Sequence, residues 1–140
     1  LPRLGSHPSQ VAAYHAYAAA FSAAEYERFP QFYTEDVVLH LPTSGNPIVG
    51  RQGIVDFYRP MFERVRETLT IEKLDVSDAL ITVDAISRFL AIEDAPDFVT
   101  CRLGKGDWVD VPVRVDYTLR DGLIGKIAVT RRGPPTRSAG

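Results

Sequence analysis

Two different periodicities divide the chain into a helical front part and a strand-rich remainder. An apolar stripe at i, i+3, i+4, i+7 spacing runs from Tyr14 to Phe21 and predicts an amphipathic helix that follows Pro8. From Thr68 onward the apolar period becomes two, which predicts β-strands. Helices first and strands later are typical of an α+β domain whose helices pack on one face of an antiparallel sheet.

Three helices are predicted ahead of these strands. The capping-box spacing of Ser22 and Glu25 predicts a short second helix over residues 22–33. A short hairpin is predicted over residues 37–49, and a third helix over residues 50–67.

The later strands are predicted at residues 68–76, 79–92, 98–103, 108–119 and 123–131, with hairpin turns at 104–106 and 120–122. The fourth of these alternates most cleanly, and its apolar phase is Val109, Val111, Val113, Val115, Tyr117 and Leu119. We expect this row to face the helix that carries Tyr17 and to enclose an apolar pocket, a common kind of small-molecule site.

Length, charge and cysteine content narrow the function classes. The chain has 140 residues, which fits one domain, and its net charge of −2 gives no electrostatic footprint for nucleic acid or an anionic membrane. No apolar run approaches the ~20 residues of a membrane span. The single Cys101 excludes an internal disulfide and a cysteine-based zinc site, so a cytoplasmic location is expected. The first residue is leucine, which indicates a trimmed start, and a removed signal peptide would leave no trace.

Three segments carry a resemblance to a known superfamily: residues 32–42 (FYTEDVVLHLP), 50–58 (GRQGIVDFY) and 115–122 (VDYTLRDG). Together with the element order, they resemble the nuclear transport factor 2-like superfamily, which includes SnoaL-like polyketide cyclases, ketosteroid isomerases, limonene epoxide hydrolases and scytalone dehydratase. The resemblance implies a cystatin-like cone, with three N-terminal helices packed on a strongly curved antiparallel sheet. It implies one SnoaL-like domain over 1–140, with an ordered core at about 8–132 and a frayed tail at 133–140.

The catalytic residues of these enzymes are mostly missing here. The tyrosine of the isomerases falls on Tyr17, but their base falls on Leu41 and their protonated acid near Val115. Leucine cannot transfer a proton, so double-bond isomerisation by that route is excluded. The water-binding asparagine of the epoxide hydrolases corresponds to His40, and their last aspartate has no counterpart in residues 123–140.

His40 and Tyr17 are the catalytic candidates. An imidazole can act as a base or hold a water near neutral pH. However, the apolar phase of Val37, Leu39 and Leu41 favours the opposite face for His40, so both orientations stay open. Tyr17 is either a hydrogen-bond donor to a developing oxyanion or a core tyrosine.

Further residues are candidates for binding the substrate: Tyr14, Phe57, Met61, Ser87, Val115 and Tyr117. For Ser87 a local bond to the backbone is the alternative. Arg131 and Arg132 either meet an anionic group at the pocket mouth or lie in solvent. No phosphate-binding loop and no metal-ligand spacing is found, so neither a cofactor nor a metal is expected.

The polar phase of the long strands predicts an outer surface. Asp84 and Arg88 share that phase on one strand, and Asp110 and Arg114 share it on the next. They are expected to form cross-strand ion pairs or a dimer contact, and Trp108 would suit a partner surface. A homodimer through this outer sheet face is therefore predicted.

The sequence leaves two functions open. The first is a cofactor-independent isomerase, cyclase, dehydratase or hydrolase that acts by acid–base chemistry on a hydrophobic polyketide-, terpenoid- or steroid-like substrate. The alternative is a non-catalytic module of the same fold that binds a small ligand or mediates dimerisation.

Overall fold

In the computed structural model, which describes residues 3–43 and 45–138, one curved sheet is packed against two α-helices. The elements are α1 (Pro8–Ser22), a 3-10 turn (Phe29–Phe32), β1 (Tyr33–His40), β2 (Ile48–Val49), α2 (Arg51–Phe62), β3 (Val65–Val76), β4 (Leu80–Ala91), β5 (Trp108–Arg120), β6 (Leu123–Arg131) and β7 (Thr136–Arg137). The α+β architecture agrees with the prediction. No helix in the described ranges is long and apolar enough to cross a membrane.

The sheet is mixed rather than purely antiparallel. Its strand order is β2-β1-β6-β5-β4-β3, and β7 pairs with the part of β5 that lies beyond the end of β6. β1 and β6 run parallel, with Leu39 opposite Ile127, whereas the other neighbours are antiparallel. A parallel pair needs a long crossover, and α2 with the four strands β2 to β5 supplies it here.

The second predicted helix is wrong because residues 22–25 form the exit of α1 and not the start of a new helix. Ala24 adopts a left-handed conformation with φ of 57°. The Glu25 N–H donates to the Ala20 carbonyl and the Ala24 N–H to the Phe21 carbonyl, each at 3.0 Å. This pair of bonds is the Schellman motif, which ends a helix. The third predicted helix is also too long, because Val65 already begins β3.

The clean alternation of β5 is confirmed, since its apolar row is buried and its polar row is not. The predicted strand at 98–103 is wrong, because this segment forms one isolated bridge, between Ala95 and Leu103, within a loop over residues 92–107. The tail is not frayed at 136–138, where Thr136 and Arg137 pair with β5 and Ser138 bonds to the backbone of Trp108. Residues 139–140 lie outside the described residues.

The outer face of the sheet carries the expected cross-strand ion pairs. Arg114 lies opposite Asp84 in register, and its Nε is 2.8 Å from Asp84 Oδ1. Arg88 lies opposite Asp110, and its Nε is 2.7 Å from Asp110 Oδ1. The Arg88 guanidinium also lies 4.0 Å from the centroid of the Trp108 ring. These contacts confirm that this face points away from the core.

Replacing Ala24 with glycine is expected to stabilise the fold. The left-handed conformation costs alanine about 1 kcal/mol of conformational free energy, and glycine adopts it without this cost. We expect Ala24→Gly to raise the free energy of unfolding by about 0.5–1 kcal/mol in urea denaturation. The matched control is Ala12→Gly in the exposed interior of α1, which should lower it by a similar amount. A loss of stability in both variants would contradict this account of the α1 exit.

Candidate functional site

The concave face of the sheet and the two helices enclose an apolar cavity of about 110 Å³. Its walls come mainly from valines, leucines and aromatic rings of β3–β6, α1 and α2. A second, outer chamber of about 580 Å³ lies between α2 and the 92–107 loop. Both spaces share six lining residues, namely Leu41, Thr43, Phe57, Met61, Phe98 and Val99. The inner cavity and the outer chamber are therefore adjacent, and these side chains lie between them.

A single carboxylic acid, Glu67, lines the cavity among the residues that the structure describes. Glu67 lies on β3 opposite Phe89 of β4. The buried Ser87 hydroxyl, on the neighbouring strand, donates to Glu67 Oε2 at 2.6 Å. Burial raises the pKa of Glu67 from its ordinary value of 4.5 to about 7, although the hydrogen bond from Ser87 acts in the opposite direction. Glu67 can therefore accept or release a proton at neutral pH.

Sequence reasoning missed Glu67 because it assigned the residue to the end of a helix. In the structure β3 begins at Val65, and residues 65, 67, 69 and 71 share the inward phase of that strand. Glu67 places a carboxylic acid in the row of Val65, Leu69 and Ile71, which is otherwise apolar. That interruption is the signal that would have identified Glu67.

The predicted Tyr17 lines the cavity as part of a group of buried tyrosines. Its hydroxyl lies 2.8 Å from the Tyr33 hydroxyl, and the Tyr14 hydroxyl donates to the Tyr117 hydroxyl at 3.3 Å. Burial raises the pKa of Tyr14 to about 12, and it also raises the pKa values of Tyr17, Tyr33 and Tyr117. These phenols therefore stay protonated at neutral pH, where they can donate hydrogen bonds.

Tyr58 on α2 has the phenol that is best placed to meet a ligand. It lines the cavity, and none of the described residues forms a hydrogen bond with its hydroxyl. Burial raises the pKa of Tyr58, and the charge of Glu67 is the second cause of that shift. The Tyr58 hydroxyl and the Glu67 carboxyl are therefore within electrostatic reach of each other, and the hydroxyl can donate to a bound molecule.

The structure places His40 on the outside. Its neighbours Val37 and Leu39 are buried in the core, so His40, in the opposite phase of β1, is exposed. It is absent from the lining of both the inner cavity and the outer chamber. The hypothesis that His40 acts as a base in the pocket does not fit this position.

The predicted binding residues divide into two groups. Five of them line the cavity: Phe57, Met61, Ser87, Val115 and Tyr117. Tyr14 is fully buried but lies behind Tyr117 and supports it through the phenol–phenol hydrogen bond. Ser87 bonds to the Glu67 side chain, not to the backbone. Within residues 3–43 and 45–138, no group of three His, Cys, Asp or Glu side chains could hold a metal ion.

Comparison with known proteins places the chain in a family. Residues 14–127 match the family model of the SnoaL-like domain. The chain belongs to this family. The match confirms the nuclear transport factor 2-like superfamily, although none of the curated protein sequences matches the chain significantly.

Solved structures of other SnoaL-like and related proteins share the fold. A proposed SnoaL-like polyketide cyclase from Shewanella putrefaciens CN-32 is similar over 90% of this chain and 91% of its own, with 18% identity and a TM-score of 0.75. An LEH-like epoxide hydrolase from M. tuberculosis is similar over 86% and 80%, with 15% identity and a TM-score of 0.67. A computationally designed 17-OHP binder is similar over 93% and 96%, with 17% identity and a TM-score of 0.70. At these identities the likeness shows the fold alone.

The raised pKa of Glu67 gives this SnoaL-like protein a measurable pH dependence of stability. The unfolded carboxyl loses its proton near pH 4.5 and the folded one near pH 7, so folding retains a proton between these values. The stability gained from the protonated group is complete below pH 4.5 and is lost as the pH rises through 7. We therefore expect Glu67→Gln, which keeps an acceptor for Ser87, to gain stability relative to the wild type between pH 5 and pH 8.

Urea denaturation at the two pH values measures this difference. Glu35→Gln is the matched control, because Glu35 is exposed on β1 and its side chain forms no ion pair with the other described residues. A constant difference between wild type and Glu67→Gln across this range would contradict a neutral-range pKa for Glu67.

Proposed function

We propose that this SnoaL-like protein is a cofactor-independent enzyme that moves a proton at a carbon next to a carbonyl group of a hydrophobic small molecule. The observation that carries the proposal is Glu67, a carboxylic acid that titrates near neutral pH inside an apolar cavity. General acid–base catalysis is most effective when the pKa of the catalytic group lies near the working pH. Cyclisation and isomerisation both begin with such a proton transfer.

Glu67 acts as the base in this proposal. Ser87 holds one carboxylate oxygen, Oε2, at 2.6 Å, so the other oxygen can take a proton from the substrate carbon. The apolar walls lower the local dielectric, which strengthens the interaction between the carboxylate and the proton that it accepts. In an isomerisation the same group returns the proton to a different carbon of the substrate. In a cyclisation the enolate carbon attacks a second carbonyl carbon, and the proton goes to the oxygen of that carbonyl.

Tyr58 donates the compensating hydrogen bond. When a proton leaves the carbon, negative charge builds up on the carbonyl oxygen, and a donor aimed at that oxygen stabilises the enolate. The Tyr58 hydroxyl lines the cavity and has no partner in the described part of the chain, so it can donate without breaking a bond. The Tyr17–Tyr33 pair lies in the same wall and can supply a second donor.

Cavity size limits how a polyketide-, terpenoid- or steroid-like substrate can bind. Drug-sized ligands occupy pockets of about 300–1,000 Å³, and a cavity of about 150 Å³ holds benzene. The inner cavity, at about 110 Å³, accepts one compact apolar end of a molecule. The remainder would lie in the outer chamber of about 580 Å³, beyond Phe57 and Met61.

Exchange of carbon-bound hydrogen tests this proposal without knowledge of the natural substrate. Cyclohexanone, β-tetralone and androstenedione are incubated with the protein in deuterated water, and deuterium uptake next to the carbonyl is followed by NMR. We expect faster uptake than in buffer for at least one ketone, and a loss of about two to four orders of magnitude of that enhancement in Glu67→Gln. Tyr58→Phe should reduce it by about two to three orders of magnitude.

His40→Ala is the matched control, because His40 lies on the outer face and its replacement should leave the exchange rate unchanged. Ketones that bind, as shown by shifts of cavity resonances, but exchange at the buffer rate would favour the alternative of a non-catalytic ligand-binding module. Normal exchange in Glu67→Gln would overturn the role of Glu67.

A further inference from the structure

Arg131 is the one guanidinium that lines the inner cavity within the described residues. It is the last residue of β6 and pairs in register with Val113 of β5. The residue is exposed, so its side chain lies at the mouth and not in the depth of the cavity. The cavity therefore carries a positive group at its mouth and a titratable carboxyl group, Glu67, on its wall.

The hydrogen-bonding capacity of Arg131 is largely unused. Its one hydrogen bond in the described part of the chain goes from Nη2 to Thr100 Oγ1 at 3.4 Å, and no carboxylate there is within ion-pair distance. The neighbouring Arg132 differs, since it donates to the Val113 and Ala85 carbonyls and to Glu72. Arg131 thus keeps most of its five N–H donors for a molecule at the cavity mouth.

The chemistry of this group selects its ligand. A guanidinium presents parallel N–H donors that match the two oxygens of a carboxylate. The Thr100 hydroxyl beside it can donate a further hydrogen bond to the same anion. Val113 and Val129 line the cavity next to Arg131, so an apolar group attached to the carboxylate can pack against them.

The position of Arg131 relative to Glu67 determines how such a ligand lies. β6 and β3 are separated by three strand spacings, which is about 14 Å along the sheet. An anion bound by Arg131 is therefore kept apart from Glu67, which would otherwise repel it in its charged form. A molecule with an anionic end and an apolar end fits this separation.

We propose that the ligand of this cavity is an amphipathic carboxylic acid, whose carboxylate is bound by Arg131 at the mouth and whose apolar body extends toward Tyr58 and Glu67. That this ligand is a substrate rests on the proposed function, but the carboxylate site does not. Arg131 is then a specificity-determining residue, which separates acids from neutral molecules of the same shape.

A matched pair of probes tests the proposal. γ-Benzoylbutyric acid and its methyl ester share a phenyl ketone body, and only the acid is charged. Titration calorimetry of the wild type should give an affinity for the acid at least about tenfold higher than for the ester. In Arg131→Gln the preference should disappear through weaker binding of the acid, with the affinity for the ester unchanged. High salt should reduce the preference in the wild type, because the site is exposed.

Arg66→Gln is the matched control, since Arg66 is exposed on β3, lies outside the cavity lining and carries the same charge. It should keep the preference for the acid. Equal urea midpoints for the two variants and the wild type would show that folding is unaffected. Equal binding of acid and ester by the wild type, unchanged acid binding in Arg131→Gln, or no acid binding at millimolar concentration would each overturn the proposal.

The same samples separate this proposal from the proposed function. Preferential binding of the acid through Arg131, without deuterium exchange next to its ketone, would support the carboxylate site and contradict the proton transfer. Exchange of neutral ketones without a preference for the acid would support the proton transfer and contradict the carboxylate site.

Discussion

Curvature of the sheet is the constraint on which the cavity and its chemistry depend. The register shifts at three places, within the β3–β4, β5–β6 and β1–β6 pairs. Bulges of this kind bend a strand and increase its twist. The concave face is then too deep for two helices to fill, and a hollow remains between the apolar row of β5 and α1.

The hollow is apolar, yet it contains polar groups, and their pairing explains why they are tolerated. Burying a hydroxyl or a carboxyl without a partner is costly. Tyr17 bonds to Tyr33, Tyr14 bonds to Tyr117, and Ser87 bonds to Glu67. In the described residues no fully buried side-chain polar atom lacks a partner. The cavity therefore combines a low dielectric, which shifts the pKa of the acid, with enough hydrogen bonds to keep the core stable.

The sequence predicts those features that regular alternation determines. The row from Val109 to Leu119 was assigned to the correct face, because a strand with one buried side has a strict period of two. The spacing of Ser22 and Glu25 gave a wrong prediction, because the same spacing occurs where a helix ends at a left-handed residue. Alanine, at position 24, is not a residue that signals such an end. For His40 the strand phase and the register of the epoxide hydrolases disagreed, and the strand phase was correct.

Glu67 shows what a single sequence cannot reveal. Its pKa depends on Ser87, which is 20 residues away in the chain, and on walls from five strands and two helices. Because the strand was predicted to begin at Thr68, Glu67 was assigned to the end of the preceding helix, and its inward position on β3 was missed. The parallel pairing of β1 with β6 was also not predicted, because strand contacts that are distant in sequence leave no local pattern.

Arg132 has a mechanical consequence for the residue before it. Its guanidinium joins the carbonyls of Val113 on β5 and Ala85 on β4 to the carboxylate of Glu72 on β3, so one side chain ties the end of β6 to three neighbouring strands. The backbone of Arg131 is consequently held in place, whereas the Arg131 side chain at the cavity mouth stays flexible. Because the backbone is already fixed, less conformational entropy is lost when the Arg131 side chain binds a ligand. The guanidinium group itself stays mobile and can adjust to ligands of different length.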